Sequence, residues 1–303
     1  MAILYDMPDV SKWQGAFNWQ AAYLKGIRHG MIRAGYGRYE SQKDPQFERN
    51  VAECERLGIN WGAYWYSYAT SVVQARQEAK VFLKIIGDRK PTMPLALDME
   101  YEPGILALSN STRTDMVKAF LDILESAGFY AVLYASQDFI KNKLNWKELT
   151  AYDMWCAQYG SKCTCPLPYG IWQYSSKNAL GIPGYGSSLD SNHVYKDYPS
   201  IIKSAGLNNW RGANPIPDTP QFDDDPDDSN KQQVLTIGPI SPGDIVTIYK
   251  LCESLDLIKM GLYKANDGVL TIGPVSSGDA YTIMRKCQEL QLTDMGLYQS
   301  KFV

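Results

Sequence analysis

Apolar and polar positions change rhythm repeatedly along the first two hundred residues. Short apolar runs at 31–34, 61–66, 95–100, 130–134, 154–157 and 171–174 have the length and composition of strands. Helical spacing fills the earlier gaps. Asp44-Pro45 reads as an N-cap and first-turn proline, opening a helix through Phe47, Val51, Cys54 and Leu57 that stops at Gly58. Thr112 with Asp115 reads as a capping box ahead of the stripe Val117, Phe120, Leu121 and Leu124, with Gly128 as the stop. This alternation predicts an α/β fold, a parallel sheet wrapped by helices and most simply closed into a TIM-like barrel. The helical signals thin after about residue 135, which predicts reduced helices and an irregular last third.

One strand-like run ends in chemistry. After Pro94-Leu95-Ala96-Leu97 come Asp98-Met99-Glu100. Side chains alternate faces along a strand, so Asp98 and Glu100 share a face with Ala96, while Leu95, Leu97 and Met99 point to a helical layer. Two carboxylates on the inner face cost desolvation that packing does not return. Their mutual repulsion raises at least one pKa, which suits a proton donor working near neutrality. Glu102 has the same parity and reads as solvated rim.

The pattern breaks near residue 208. Pro-rich 214–220 and the acidic run 223–228 cannot bury a core. The expected boundaries are a catalytic region at 1–207, a linker at 208–233 and a small α+β domain at 234–303. That last region is an internal repeat. Val234-Leu235-Thr236-Ile237-Gly238-Pro239 recurs as Val269-Leu270-Thr271-Ile272-Gly273-Pro274, and 18 of 30 aligned positions are identical. Each copy reads as βαβ, its helix opened by Ser241 with Asp244 or Ser276 with Asp279. One copy is too small to bury its own apolar face, whereas two make a four-stranded sheet with two helices on one side.

Composition removes several function classes. The chain has 303 residues and a net charge of −3, with no basic block of the kind that holds nucleic acid. No run is long enough for membrane insertion, and the N-terminus lacks a basic region followed by a long apolar core, so no secretory signal is expected. The 21 tyrosines and 8 tryptophans suit stacking on sugar faces. Cys163-Thr164-Cys165 with Cys156 could hold a metal or a disulfide. The spacing matches no zinc ribbon, and His29 and His193 are the only histidines, so non-catalytic cysteines with no metal and no cofactor are expected. Ser11 and Ser136 sit in no nucleophile-elbow context, which leaves a serine hydrolase without support.

Four segments in order complete the picture: Asp9-Val10-Ser11-Lys12-Trp13-Gln14-Gly15, Leu97-Asp98-Met99-Glu100, Ile171-Trp172-Gln173-Tyr174-Ser175 and Leu189-Asp190-Ser191-Asn192. Together they resemble the glycoside hydrolase family 25 lysozymes, which include phage endolysins and bacterial autolysins. Residues 33–37 and 62–66 also resemble that family's second and third strands. The resemblance covers roughly residues 3–200. It implies an irregular β/α barrel and cleavage of the β-1,4 bond between N-acetylmuramic acid and N-acetylglucosamine in peptidoglycan, with bacterial lysis as the outcome. By motif match it implies Glu100 as proton donor, Asp98 as its partner, and Asp9 and Asp190 as flanking acids. It also implies Tyr36, Tyr64, Tyr66, Tyr134 and Trp172 as groove-lining aromatics.

The resemblance further implies a retaining reaction assisted by the substrate's acetamido group. A rival assignment makes Asp98 or Asp190 a covalent nucleophile, and sequence does not separate the two. Outside this reading stand a non-catalytic glycan-binding barrel and a chitinase-like glycosidase. The chitinase-type acidic run is missing, since Leu95, Ala96 and Leu97 precede Asp98. For the repeats, wall anchoring and homodimerisation compete. The expected location is synthesis in a bacterial cytoplasm without a signal, then action on the wall after separate release.

Overall fold

The computed structural model describes residues 2–210, 232–255, 257–276, 280, 283–284, 286–287, 290, 292–293, 295 and 297–302. They fall into two compact units, one within residues 1–219 and one within 220–303. Among the described residues no helix is long and apolar enough to cross a membrane. The acidic stretch of the expected linker and the Ser276–Asp279 cap lie outside what is described.

The first unit is a closed barrel. Its strands are β1 (Tyr5–Val10), β2 (His29–Tyr36), β3 (Asn60–Tyr66), β4 (Leu95–Asp98), β5 (Ala131–Ser136), β6 (Asp153–Ala157), β7 (Tyr169–Ser175) and β8 (Asp190–Val194). Neighbours from β1 to β7 pair in parallel, while β8 is antiparallel to both β7 and β1. The sequence reading expects a parallel sheet; the reversed last strand departs from it because residues 176–189 join β7 to β8 without a helix. The helices are α1 (Trp19–Leu24), α2 (Phe47–Leu57), α3 (Val72–Ile86), α4 (Pro103–Leu106), α5 (Asn110–Ser126), α6 (Gln137–Lys143) and α7 (Tyr198–Ala205). The thinning of helices toward the last strands is therefore real.

Alternation divides the core into two clusters. Leu95, Leu97 and Met99 join the outer one with Phe82, Phe120 and Leu121 from α3 and α5. Met7, Met31, Ala96, Val132, Trp155, Ile171 and Val194 point inward and fill the barrel. Burying large side chains such as Phe82 and Phe120 stabilises by roughly 1.5–3 kcal/mol each.

Helix ends correct two expectations. The α5 cap is Ser109, whose side chain accepts the Thr112 N–H, so Thr112 lies within the first turn. Asp44 stands before α2 without capping it: Oδ2 accepts Arg33 Nε at 2.7 Å and the Lys12 N–H at 3.0 Å, and Oδ1 accepts the Gln46 N–H at 2.9 Å. The expected stop at Gly58 holds, with φ of 67° in the left-handed region that favours glycine. Residues 208–210 belong to the barrel floor and not to a linker. Asn208 is fully buried; it accepts the Tyr130 N–H and donates to the Pro91 and Met93 carbonyls.

The Arg33–Asp44 ion pair joins β2 to the segment before α2, with both side chains almost wholly buried. Asp44→Ala strands the guanidinium and is expected to cost about 3–5 kcal/mol, lowering Tm by roughly 10 °C for a unit of this size. Thermal melts check this; an unchanged Tm would mean that Arg33 finds another partner.

The second unit contains β9 (Gln232–Ile237), α8 (Pro242–Ser254), β10 (Tyr263–Asn266), β11 (Val269–Ser276) and β12 (Tyr298–Phe302). The sheet order is β10-β11-β9-β12, with every neighbouring pair antiparallel. The strands of the two repeats are thus interlaced, the first strand of each copy lying between the two strands of the other. The core is symmetric in sequence: Leu235, Ile237, Ile248, Cys252 and Leu257 pack with their repeat equivalents Leu270, Ile272, Ile283, Cys287 and Leu292. Neither copy closes a sheet alone.

Candidate active site

The inward positions change character at the strand ends. One step beyond the apolar filling come Asp9, Arg33, Tyr66, Asp98, Tyr134, Gln173 and Asp190, all lining one cavity of about 260 Å³. The register explains the grouping. Asp98 lies directly between Tyr66 on β3 and Tyr134 on β5, and Asp9 pairs directly with Asp190 across β1 and β8. Cross-strand partners share a face, so the four acids of the sequence reading converge from three strands and the segment after β4. This is the end of a β/α barrel where loops can vary without disturbing the core.

Glu100 follows the last residue of β4 and reaches the same cavity. Its carboxyl hydrogen-bonds that of Asp98. Asp98 is only 4% exposed, and its Oδ1 is buried without a hydrogen-bond partner. Burial, then the charges of Glu100 and Asp9, push Asp98 well above the usual carboxylate range. Burial, then Asp9, raise Glu100 as well. Two adjacent carboxyls shielded from water hold one proton between them.

The flanking acids differ. Asp9 Oδ2 accepts from Asn192 Nδ2 at 2.8 Å and Gln173 Nε2 at 3.1 Å, and its pKa rises to about 6, chiefly through burial. Asp190 rises to about 8 through burial, then the charges of Asp9 and Glu100. The amides are themselves held. Gln173 Oε1 accepts from the Tyr134 and Tyr159 hydroxyls, and Asn192 Oδ1 accepts from Trp155 Nε1 at 2.7 Å. Arg33 is the cation among the lining residues, and its Nη2 is buried without a partner.

A second cavity of about 310 Å³ adjoins the first, sharing Trp13, Arg33 and Tyr66 and adding Lys12, Tyr36 and Tyr68. Trp13 is 76% exposed at this rim. Glu78 on α3 holds the rim from beneath, accepting Ser67 Oγ at 2.6 Å and the Tyr68 N–H at 2.9 Å; burial lifts it to about 7. The result is an aromatic-edged, acidic groove with a strong proton-holding pair at its floor.

Of the expected groove residues, Tyr64, Tyr66 and Tyr134 line the first cavity and Tyr36 the second. Trp172 is a correction. It lies between Ile171 and Gln173, which face inward, so its ring turns outward against Tyr174 and His193. Glu102 accepts the Tyr66 hydroxyl at 2.6 Å and does not line either cavity. The sequence reading missed Arg33, Gln173, Trp155 and Asn192. Arg33 carried a signal, a charge inside an apolar strand; the amides carry none until a carboxylate is found opposite them. The histidines lie elsewhere: His193 Nδ1 meets Asp6 Oδ1 at 2.6 Å, and His29 stacks on Tyr5. Among the described residues no cluster of three or more His, Cys, Asp or Glu side chains is arranged to hold a metal ion.

Known proteins share this fold. The chain is 30% identical over 192 residues to Uncharacterized protein YegX of Escherichia coli O157:H7, covering 61% of this chain and 67% of that protein. It superposes on the crystal structure of the CTP1L endolysin with a TM-score of 0.57 and 26% identity, covering 66% of this chain and 70% of the other. It shares the fold of the bacterial lysozyme from Streptomyces coelicolor, with a TM-score of 0.56, 23% identity and coverage of 67% and 96%. The family described as glycosyl hydrolases family 25 matches residues 8–182, a span that takes in Asp9, Asp98 and Glu100 but stops short of Asp190. Since that match spans more than half of the chain, the chain belongs to glycosyl hydrolase family 25.

Proposed function

We propose that this glycosyl hydrolase is a muramidase that cuts the β-1,4 bond between N-acetylmuramic acid and N-acetylglucosamine in peptidoglycan, and that the cut lyses bacteria. The carrying observation is the Asp98–Glu100 pair, one buried and one half-buried carboxyl side by side at the floor of an aromatic-edged groove. Glycoside hydrolysis needs a proton on the leaving oxygen and support for an oxocarbenium-like carbon. Glu100 donates the proton as the bond from C1 to the leaving oxygen breaks. The acetamido oxygen of the muramic acid residue closes on C1 from the other side, while its N–H is taken by Asp98, whose free Oδ1 waits for a donor. Water then adds to C1 from the face of the departed sugar as the bond from C1 to the acetamido oxygen breaks, giving its proton to Glu100 while Asp98 returns the N–H proton, and the configuration is retained.

Contact between Asp98 and Glu100 supports this route over inversion, because an inverting acid and base stand apart with a water between them. The alternative within retention is a covalent bond from C1 to Asp98 or Asp190. Mass spectrometry of the protein trapped with a slow substrate distinguishes them: an adduct on an aspartate overturns acetamido assistance. Mass spectrometry of muropeptides released from purified cell walls tests the bond. Muramic acid at the new reducing ends is expected; glucosamine ends would overturn the assignment.

The second unit is proposed to anchor the enzyme to its insoluble polymer, raising the local concentration of cleavable bonds. The full chain is then expected to pellet with cell walls at least about 10-fold more strongly than a chain ending at residue 219. Equal pelleting, with self-association seen only in the full chain, would favour dimerisation instead.

A further inference from the structure

Four acids, Asp9, Asp98, Glu100 and Asp190, line the first cavity, yet the cavity beside it has the opposite character. Its six lining residues are two cations, Lys12 and Arg33, and four aromatics, Trp13, Tyr36, Tyr66 and Tyr68. Trp13, Arg33 and Tyr66 belong to both cavities, so the two are continuous. Tyr66 is also the direct cross-strand neighbour of Asp98, so the second cavity begins beside the reacting floor.

Both cations are positioned, and both keep donors to spare. Asp44 is 1% exposed, and its Oδ2 accepts Arg33 Nε at 2.7 Å and the Lys12 backbone N–H at 3.0 Å. One buried carboxylate thus fixes the guanidinium and the chain that carries the ammonium. Arg33 is 8% exposed, and its Nη2 is buried without a hydrogen-bond partner. A charged N–H withdrawn from water is costly until something accepts from it. The Lys12 side chain is exposed, with Nζ 4.9 Å from the centre of the Trp13 ring and 5.9 Å from that of Tyr36, and these rings steady it. Tyr68 meets Tyr36 edge to face at 5.9 Å and lies 5.1 Å from Tyr66, so the aromatic wall is one packed group.

We propose, building on the muramidase reading, that the second cavity binds a carboxylate carried on the substituent of a muramic acid residue. Arg33 Nη2 and Lys12 Nζ donate to its two oxygens, while Trp13 and the tyrosines support the sugar or peptide that bears it. A carboxylate-bearing substrate is repelled by the acids of the first cavity unless cations meet it beside them, and this flank supplies those cations. Glucosamine residues are neutral and leave both donors unmatched, so the cavity favours glycans that contain muramic acid over glucosamine-only chains. Two sources offer the carboxylate: the lactyl group where no peptide is attached, and the free carboxylates of the peptide where one is.

The test compares three soluble, uncross-linked glycan preparations with the full chain. One carries peptides. One is stripped of peptide, leaving the lactyl carboxylate free. The last is stripped and its lactyl carboxyl converted to the methylamide. Wild-type KM is expected to be about 10-fold lower on a carboxylate-bearing preparation than on the methylamide. A low KM on stripped chains assigns the lactyl carboxylate; a low KM on peptide-bearing chains alone assigns a peptide carboxylate. Added salt narrows the gap, because an exposed ammonium is screened. Lys12→Met keeps the aliphatic stem and the N–H to Asp44 but removes the charge, so the gap shrinks several-fold, the loss falling on KM; Lys12→Arg restores it. Equal KM values on the three preparations, or a gap that Lys12→Met leaves intact, overturns the proposal. The new reducing ends are read in the same digests. Glucosamine ends would remove the muramidase reading, whereas muramic acid ends with equal KM values remove the carboxylate site alone.

Discussion

Glu100→Gln is expected to lower turnover on purified cell walls by about 10³-fold while leaving wall binding unchanged. Glutamine keeps the shape of the side chain and a hydrogen bond toward Asp98, but it has no proton to give the leaving oxygen. The loss should therefore fall on kcat, with KM little altered, since the removed interaction exists only as the bond breaks. The wild-type pH profile is expected to carry the same signature. Burial and the Asp9 charge raise Glu100, so its proton persists toward neutrality and the rate declines as pH climbs past that raised value. The variant should lose this alkaline limb along with its activity. Muropeptide release and a pelleting assay measure both halves, and retention of more than about a tenth of wild-type kcat would remove Glu100 from the donor role.

Much of this site was readable before any coordinates, because strand alternation is strict. Ala96 inside and Leu95, Leu97 and Met99 outside put Asp98 in the barrel and Glu100 at its mouth. The same rule, applied to Ile171, would have turned Trp172 outward and chosen Gln173; the motif match overrode it. Other features depend on distance in space and leave no local trace. Whether β8 runs parallel or antiparallel is decided by how the chain returns, and the Asp9–Asp190 pairing follows only from that. Asp44 looked like a cap because Asp before Pro usually is one, yet the stronger partner was a buried arginine 11 positions earlier. In the repeats, identity between copies was plain in sequence. Their interlacing was not, because both strand orders bury the same apolar positions.

Asp98→Asn is expected to reduce activity by about 10²–10³-fold and at the same time to stabilise the barrel at neutral pH. The activity loss follows from the acetamido N–H, which needs a carboxylate to draw off its developing charge. The gain follows from linkage. Burial and the neighbouring acids raise Asp98 in the folded protein, whereas in the unfolded chain it titrates near the ordinary value. Below that ordinary value both states hold the proton and the group is neutral to stability. As pH rises, the unfolded chain releases its proton first, so folding grows less favourable until the raised folded value is passed. Asp9, raised to about 6, and Asp190, raised to about 8, act in the same direction, so the cleft drains stability between roughly pH 4 and 8. Asparagine removes one contributor to that decline and can still donate to Glu100. About 1–2 kcal/mol, or a Tm increase of roughly 3–6 °C, is expected at pH 7.5, with little change near pH 3.5. Thermal melts of both proteins at the two pH values decide. A Tm at pH 7.5 equal to or below that of the wild type would mean that the Asp98 carboxylate is well solvated or well paired in the resting enzyme, and that the acids of this groove are not held there at the expense of the fold.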